Sequence, residues 1–146
     1  MANQVEMRFV SIADNLVLGR LMAAQLAAQA GFSLSAIEEI KVAVSEAVSN
    51  AIIHGYSGRQ DGWIAMDCKI EGKELAIAVE DWGVGIADVA QARQPEFSSD
   101  PERMGLGFVF MESFMDQVTV RSHMGHGTRV EMTRAVAEEA LTGDAQ

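Results

Sequence analysis

The stretch "SEAVSNAIIHGY", residues 45–56, sets Glu46 and Asn50 four positions apart inside an otherwise apolar helical run that stops at His54-Gly55. Residues four apart on a helix are offset by only about 40° around its axis, so the carboxylate and the carboxamide share a face. On the other side Ile37, Ile40, Val44, Val48, Ala51 and Ile52 make a stripe suited to a core. Two readings of the polar pair are open at this point. It is the wetted face of an amphipathic helix, or it is an acid and an amide lined up to handle a proton and a metal ion. Val42 and Ile53 also fall on the polar side. A plainly solvated face has no use for two β-branched hydrophobes, whereas a half-enclosed cleft does.

Working outward, residues 5–10 read as a strand, and Asp14 or Asn15 as the cap of a helix "LVLGRLMAAQLAAQA" (16–30) stopped by Gly31. Ser33 or Ser35 opens the Glu46 helix, with Glu38 in capping-box spacing from Ser35 and Gly55 as the stop. Past the turn "SGRQDG" (57–62), strands over 63–70 and 74–80 are joined by a tight "EGKE" turn. Residues 81–105 hold both prolines and three glycines with little periodicity, which in a small domain marks a long functional loop. A helix over 106–115 and a hairpin over 117–122 and 128–133 follow. The order β-α-α-β-β-loop-α-β-β predicts an α/β (α+β) two-layer sandwich, with helices on one face of a mixed, largely antiparallel sheet. One domain is expected over residues 1–134, followed by an acidic tail, "AVAEEALTGDAQ", at 135–146.

The bulk numbers agree with a single packed domain: 146 residues, 49% hydrophobic and 22% charged. A formal net charge of −10 disfavours direct nucleic-acid binding, which needs a basic face to displace counterions. The single cysteine, Cys68, forms no intrachain disulfide and reads as a small buried strand hydrophobe in a reducing compartment. No leader-like N-terminus and no apolar run of membrane-spanning length is present, so a cytoplasmic protein with no membrane association is expected. His54, His123 and His126, with Cys68, do not make a zinc pattern; His54 reads as a helix C-terminal residue favoured by the dipole. Met104, Met111 and Met115 read as core filling.

Three further motifs carry chemistry. "EDWGVGI" (80–86) places Asp81, Gly83 and Gly85 directly after an apolar strand. There glycines let backbone approach a ligand and the carboxylate accepts from an N–H such as an adenine amino group. "MGLGF" (104–108) puts Gly105 and Gly107 at a helix start, where free amides suit phosphates. "GHGTRVEM" (125–132) opens the last strand with Gly127-Thr128, whose hydroxyl can meet a base edge. Each is ordinary alone: a solvated face, a strand-end turn, a loop running into a helix. There is no Gly-Lys-Ser/Thr, so this is no Walker-type loop.

Their order along the chain resembles the GHKL (Bergerat) ATP-binding fold. The phrases "VSEAVSNAIIHGY", "DWGVGIADVAQARQPEF" and "MGLGFVFMESFMDQVTVRS" are similar to that group's small bacterial protein serine kinases, the anti-sigma factors of the sigma-F type, over roughly residues 9–133. The resemblance implies a protein serine/threonine kinase that sequesters a sporulation sigma factor and phosphorylates an anti-anti-sigma factor on serine, with ATP/ADP and Mg²⁺ as cofactors and a homodimer as its state. On matching positions it implies Glu46 as the base, Asn50 as the Mg²⁺ ligand, and Asp81 on the adenine amino group. Gly83 and Gly85 would line the base with Thr128 assisting, Gly105 and Gly107 would close over the phosphates, and Arg20 would contact both protein partners. The alternatives are a nucleotide-gated anti-sigma module without kinase activity, and a kinase serving a stress-response sigma factor. The retained Glu46 favours the enzyme, since nucleotide binding alone needs no base. The chain departs from the family pattern in "FSSDPERMGLG" (97–107), about a residue short with an acid at Asp100, which bears on any phosphate contact by Arg103. Leu16 stands where a more polar residue is expected, and the acidic tail has no family counterpart.

Overall fold

The computed structural model describes residues 2–93 and 104–138. Five strands, β1 (Ala2–Val10), β2 (Trp63–Glu71), β3 (Glu74–Asp81), β4 (Gln117–His123) and β5 (Gly127–Ala135), form one sheet in the order β1-β2-β3-β5-β4. Every pairing is antiparallel. Three longer helices, α1 (Leu16–Ala30), α2 (Leu34–Asn50) and α4 (Met104–Phe114), make the second layer, α2 packing between the other two. A four-residue helix, α3 (Val89–Ala92), lies inside the stretch expected to be loop.

Period-two alternation decides which face of the sheet is covered. Ile64, Met66, Cys68 and Ile70 of β2 are buried against the helices, while Trp63, Lys69 and Glu71, on the other face, are exposed. On β3 the same rule sends Leu75, Ile77 and Val79 inward. It also sends Asp81 inward, so the strand that fills the core delivers a carboxylate to its edge. Cys68 has no exposed surface and burial pushes its thiol up to about 12, leaving it an inert hydrophobe. Met111 and Met115 fill the core as expected. Among the described residues no helix is long and apolar enough to cross a membrane.

The helix ends follow expectation at Gly31 and Ser33 and depart from it at Asn15 and Glu38. Gly31 stops α1 in a left-handed conformation (φ 101°). Neither Asp14 nor Asn15 caps it: the Asn15 amide donates instead to the Val10 carbonyl (2.9 Å), fastening the helix start to the end of β1. Ser33 caps α2, its hydroxyl accepting from the Ala36 N–H (3.2 Å). Ser35 therefore lies inside the first turn, and Glu38 pairs with Lys41 (3.1 Å) rather than closing a capping box. Gly19 lets α1 approach the sheet, since a Cβ there would stand 3.2 Å from the Met66 sulfur.

Candidate functional site

Asp81 ends β3 and is 5% exposed. Its carboxylate accepts from the Gly83 N–H (2.9 Å) and from the backbone N–H of Thr128, its register partner on β5. These bonds favour the ionised form, but burial outweighs them and pushes the carboxyl up to about 6. The backbone around it is packed too tightly for side chains. A Cβ on Gly55 would fall 2.7 Å from the Asp81 Cγ, and one on Gly83 would fall 1.8 Å from the Gly55 carbonyl oxygen. That carbonyl accepts from the Val84 N–H (2.8 Å), which joins the end of the Glu46 helix to the Asp81 turn. Gly85 has φ +79° and would drive a Cβ to 2.2 Å from the His123 carbonyl oxygen. Both motif glycines are thus required by close approach of backbone, independent of any ligand.

Glu46 and Asn50 stand on α2 as the four-residue spacing demands, both half-buried. Burial raises the Glu46 carboxyl above its ordinary value. One polar atom of the Asn50 amide, Nδ2, is buried with no hydrogen-bond partner among the described residues. A buried orphan of this kind calls for a reason, and a ligand is one. Gly107 of α4 lies against the pair: a Cβ there would be 3.0 Å from Glu46 Oε1 and 3.4 Å from Asn50 Nδ2. The start of α4 is thereby set directly over Glu46 and Asn50.

Asn50, Asp81, Gly85 and Thr128 line one cleft between α2, α4 and the sheet. The Thr128 hydroxyl is engaged with that of Ser122 (2.8 Å), which also accepts from the Ile86 N–H (2.6 Å). Gly105 falls in the first turn of α4; Asp100, Arg103 and residues 139–146 of the tail lie outside the described residues. Arg20 is not in this cleft. It is half-buried on α1, next to the exposed Leu21 and near Val17 and Leu18, with no hydrogen bond or ion pair among the described residues. Leu16, at the start of α1, is partly buried against the core.

Sequence reasoning missed several members of the wall. Gly55, read as a helix stop, is also where α2's continuation meets Asp81. Gly127 (φ +102°) would bring a Cβ to 2.1 Å from the Asp81 carbonyl oxygen. His54, read as a dipole-favoured terminus, lines the cleft together with Phe108. The available signal was the run of glycines at four separate sites. No metal-holding group of three or more His, Cys, Asp or Glu exists among the described residues.

The fold and this cleft define a nucleotide-binding domain of the histidine-kinase type. A profile of the family described as "Histidine kinase-like ATPase domain" matches residues 9–134. The anti-sigma F factor of Clostridium novyi (strain NT) is 43% identical over 134 residues, covering 90% of this chain and 94% of its own. That of Pasteuria penetrans is 47% identical over 135 residues, 90% of each chain. That of Geobacillus stearothermophilus is 40% identical over 141 residues, 95% and 97% of the two chains. The chain belongs to the anti-sigma F factor family of histidine kinase-like ATPase domains. The crystal structure of the RsbU and RsbW domains of a Mycobacterium tuberculosis protein superposes with a TM-score of 0.68 at 21% identity, covering 94% of this chain and 34% of that longer one. At that identity the likeness is one of fold.

Proposed function

We propose that this protein is a cytoplasmic, ATP-dependent serine kinase acting as an anti-sigma factor. It sequesters a sporulation sigma factor of the sigma-F type and phosphorylates an anti-anti-sigma protein on serine. A homodimer belongs to the same reading. The observation that carries the catalytic part is the meeting of Glu46, Asn50 and Gly107 at one end of a cleft whose other end is Asp81.

The residues present fit Mg²⁺ and ATP. Turning the Asn50 amide by 180° exchanges its oxygen and nitrogen within the same outline, so the buried orphan position would offer a hard oxygen ligand to Mg²⁺. The Asp81 carboxylate has acceptor capacity beyond its backbone donors, which an adenine amino group would take up. ATP with Mg²⁺ supplies the transferable phosphoryl group and the charge neutralisation on which such transfers depend. Gly107 keeps the approach to Glu46 and Asn50 free of side chain. Glu46 takes the proton of the substrate serine hydroxyl. Its burial, by raising its basicity, favours this role over mere nucleotide gating.

The deciding experiment is a pull-down of sigma factor with ATP against ADP, alongside a phosphoserine assay on a small anti-anti-sigma substrate. ATP-dependent capture with phosphoserine formation is expected. Capture without any phosphoserine would leave only the non-catalytic module.

A further inference from the structure

The turn that follows Asp81 is held from two sides. On one side the π-helical turn Ala51–Gly55, which continues α2 past Asn50, gives its last carbonyl to the Val84 N–H (2.8 Å). On the other side the β4–β5 hairpin clasps it. The Gly125 N–H donates to the Val84 carbonyl (2.8 Å), and the Ile86 N–H donates to the Ser122 hydroxyl oxygen (2.6 Å). Ser122 itself is not part of the cleft wall. It stands beside Thr128, its register partner on β5, which is.

A serine hydroxyl has one proton to give and two lone pairs with which to accept. The Ile86 N–H takes one lone pair of Ser122. Two acceptors then compete for its proton, the Thr128 hydroxyl at 2.8 Å and the Gly127 carbonyl at 3.1 Å. O–H···O bonds centre on about 2.7–2.8 Å and seldom exceed about 3.0 Å, so the proton goes to Thr128. Ser122 is the one partner of the Thr128 hydroxyl among the described residues, which leaves the threonine's own proton free to donate into the cleft. On the nucleotide reading given above, on which this inference rests, that polarity acts at the base. Asp81 and Thr128 are opposed in register and share one face of the sheet. A carboxylate that only accepts therefore stands beside a hydroxyl that donates. Adenine offers the complement on neighbouring positions, an amino N–H and the unprotonated ring nitrogen N1. Guanine offers the reverse, a carbonyl oxygen and a protonated ring nitrogen, so both contacts fail.

We propose that Ser122 is a positioning residue that sets base specificity: by donating to Thr128 it fixes the Thr128 hydroxyl as a donor to the purine N1. The test is calorimetric titration of ADP and 1-deaza-ADP, in which that ring nitrogen is a C–H. Both go into the wild type, Ser122→Ala, Ser122→Cys and Ser122→Thr, with melting temperatures recorded on each. The wild type is expected to prefer ADP by about three- to tenfold, the net worth of one neutral hydrogen bond. In Ser122→Ala the preference should fall to within about twofold, because Thr128 is no longer held as a donor. Ser122→Cys, whose thiol donates only weakly, should behave the same way, and it carries the test alone if the alanine variant folds poorly. Ser122→Thr keeps the hydroxyl and should keep the preference, whatever its melting temperature. A preference that survives in Ser122→Ala and Ser122→Cys, both ligands weakening equally, overturns the assignment. So does its loss in Ser122→Thr, or a wild type that binds the two ligands alike. Failure of the wild type to bind ADP at all would instead remove the nucleotide reading, and this inference with it.

Discussion

At the scale of single residues, two carboxyl groups are both pushed up by burial and have opposite tasks. Glu46 must accept a proton during turnover. Glu46→Gln should retain Mg-ATP affinity by calorimetry yet lose about 10²–10⁴-fold in single-turnover phosphoryl transfer, the usual range for a general base. Near-normal turnover would exclude it. Asp81 must stay ionised to accept from adenine, yet its folded pKa of about 6 lies above the ordinary 3.8. A raised acid pKa means the unliganded fold is favoured below the ordinary value and loses that advantage as pH rises through about 6. The loss is on the order of 2–3 kcal/mol for a shift of this size. Compared with Asp81→Asn, the unliganded wild type should therefore lose relative melting temperature between about pH 4 and 6. Nucleotide binding should run the other way, weakening as pH falls below about 6, and Asp81→Asn should bind at least about tenfold more weakly at neutral pH. Melting curves whose difference does not vary with pH would show that Asp81 is not held at this cost.

At the scale of elements, the contact between α2 and α4 sets the catalytic end. Gly107 presses on the movable end of Glu46 rather than on backbone, so an added methyl displaces a carboxylate and leaves the helix intact. Alanine is also the better helix former, by up to about 1 kcal/mol. Gly107→Ala should keep or raise the melting temperature while phosphoryl transfer drops by about tenfold, the penalty of misplacing a reacting group. A variant that is both unstable and inactive would mean the glycine serves packing alone. Gly83 has no such latitude, because its forbidden Cβ meets the Gly55 carbonyl, a backbone atom. The same close approach holds the π-turn and the Asp81 turn together as one unit.

At the scale of the whole molecule, Arg20 lies on α1 away from the cleft, with no ion pair or hydrogen bond among the described residues, beside a line of exposed aliphatics. Arginine on an apolar surface is a common centre of binding energy, since its fork pairs with carboxylates once water is excluded. Arg20→Ala should cost about 2 kcal/mol or more in binding the sigma or anti-anti-sigma partner. Nucleotide affinity and melting temperature should hold, because neither the cleft nor the core loses a contact. Loss of partner and nucleotide binding together would make Arg20 structural, and loss of neither would return it to the solvated surface.

Local sequence determined what local physics governs. The alternation along β2 and β3, the glycine stop at Gly31, and the four-residue spacing of Glu46 and Asn50 were all legible from the chain, because strand and helix periods act over neighbouring residues. Asp81, Gly83 and Gly85 were legible as a motif, though not the reason for the glycines. Only the tertiary structure decided that Gly55 and Gly127 serve Asp81, that His54 faces the cleft, and that Gly107 touches Glu46. Those facts depend on pairs from 26 to 61 positions apart brought together by packing, and no local period encodes such contacts. It also decided that Asn15 fastens a strand instead of capping a helix: its side-chain N–H donates to the Val10 carbonyl, which the fold brings next to the helix start, while its oxygen accepts from no helix N–H.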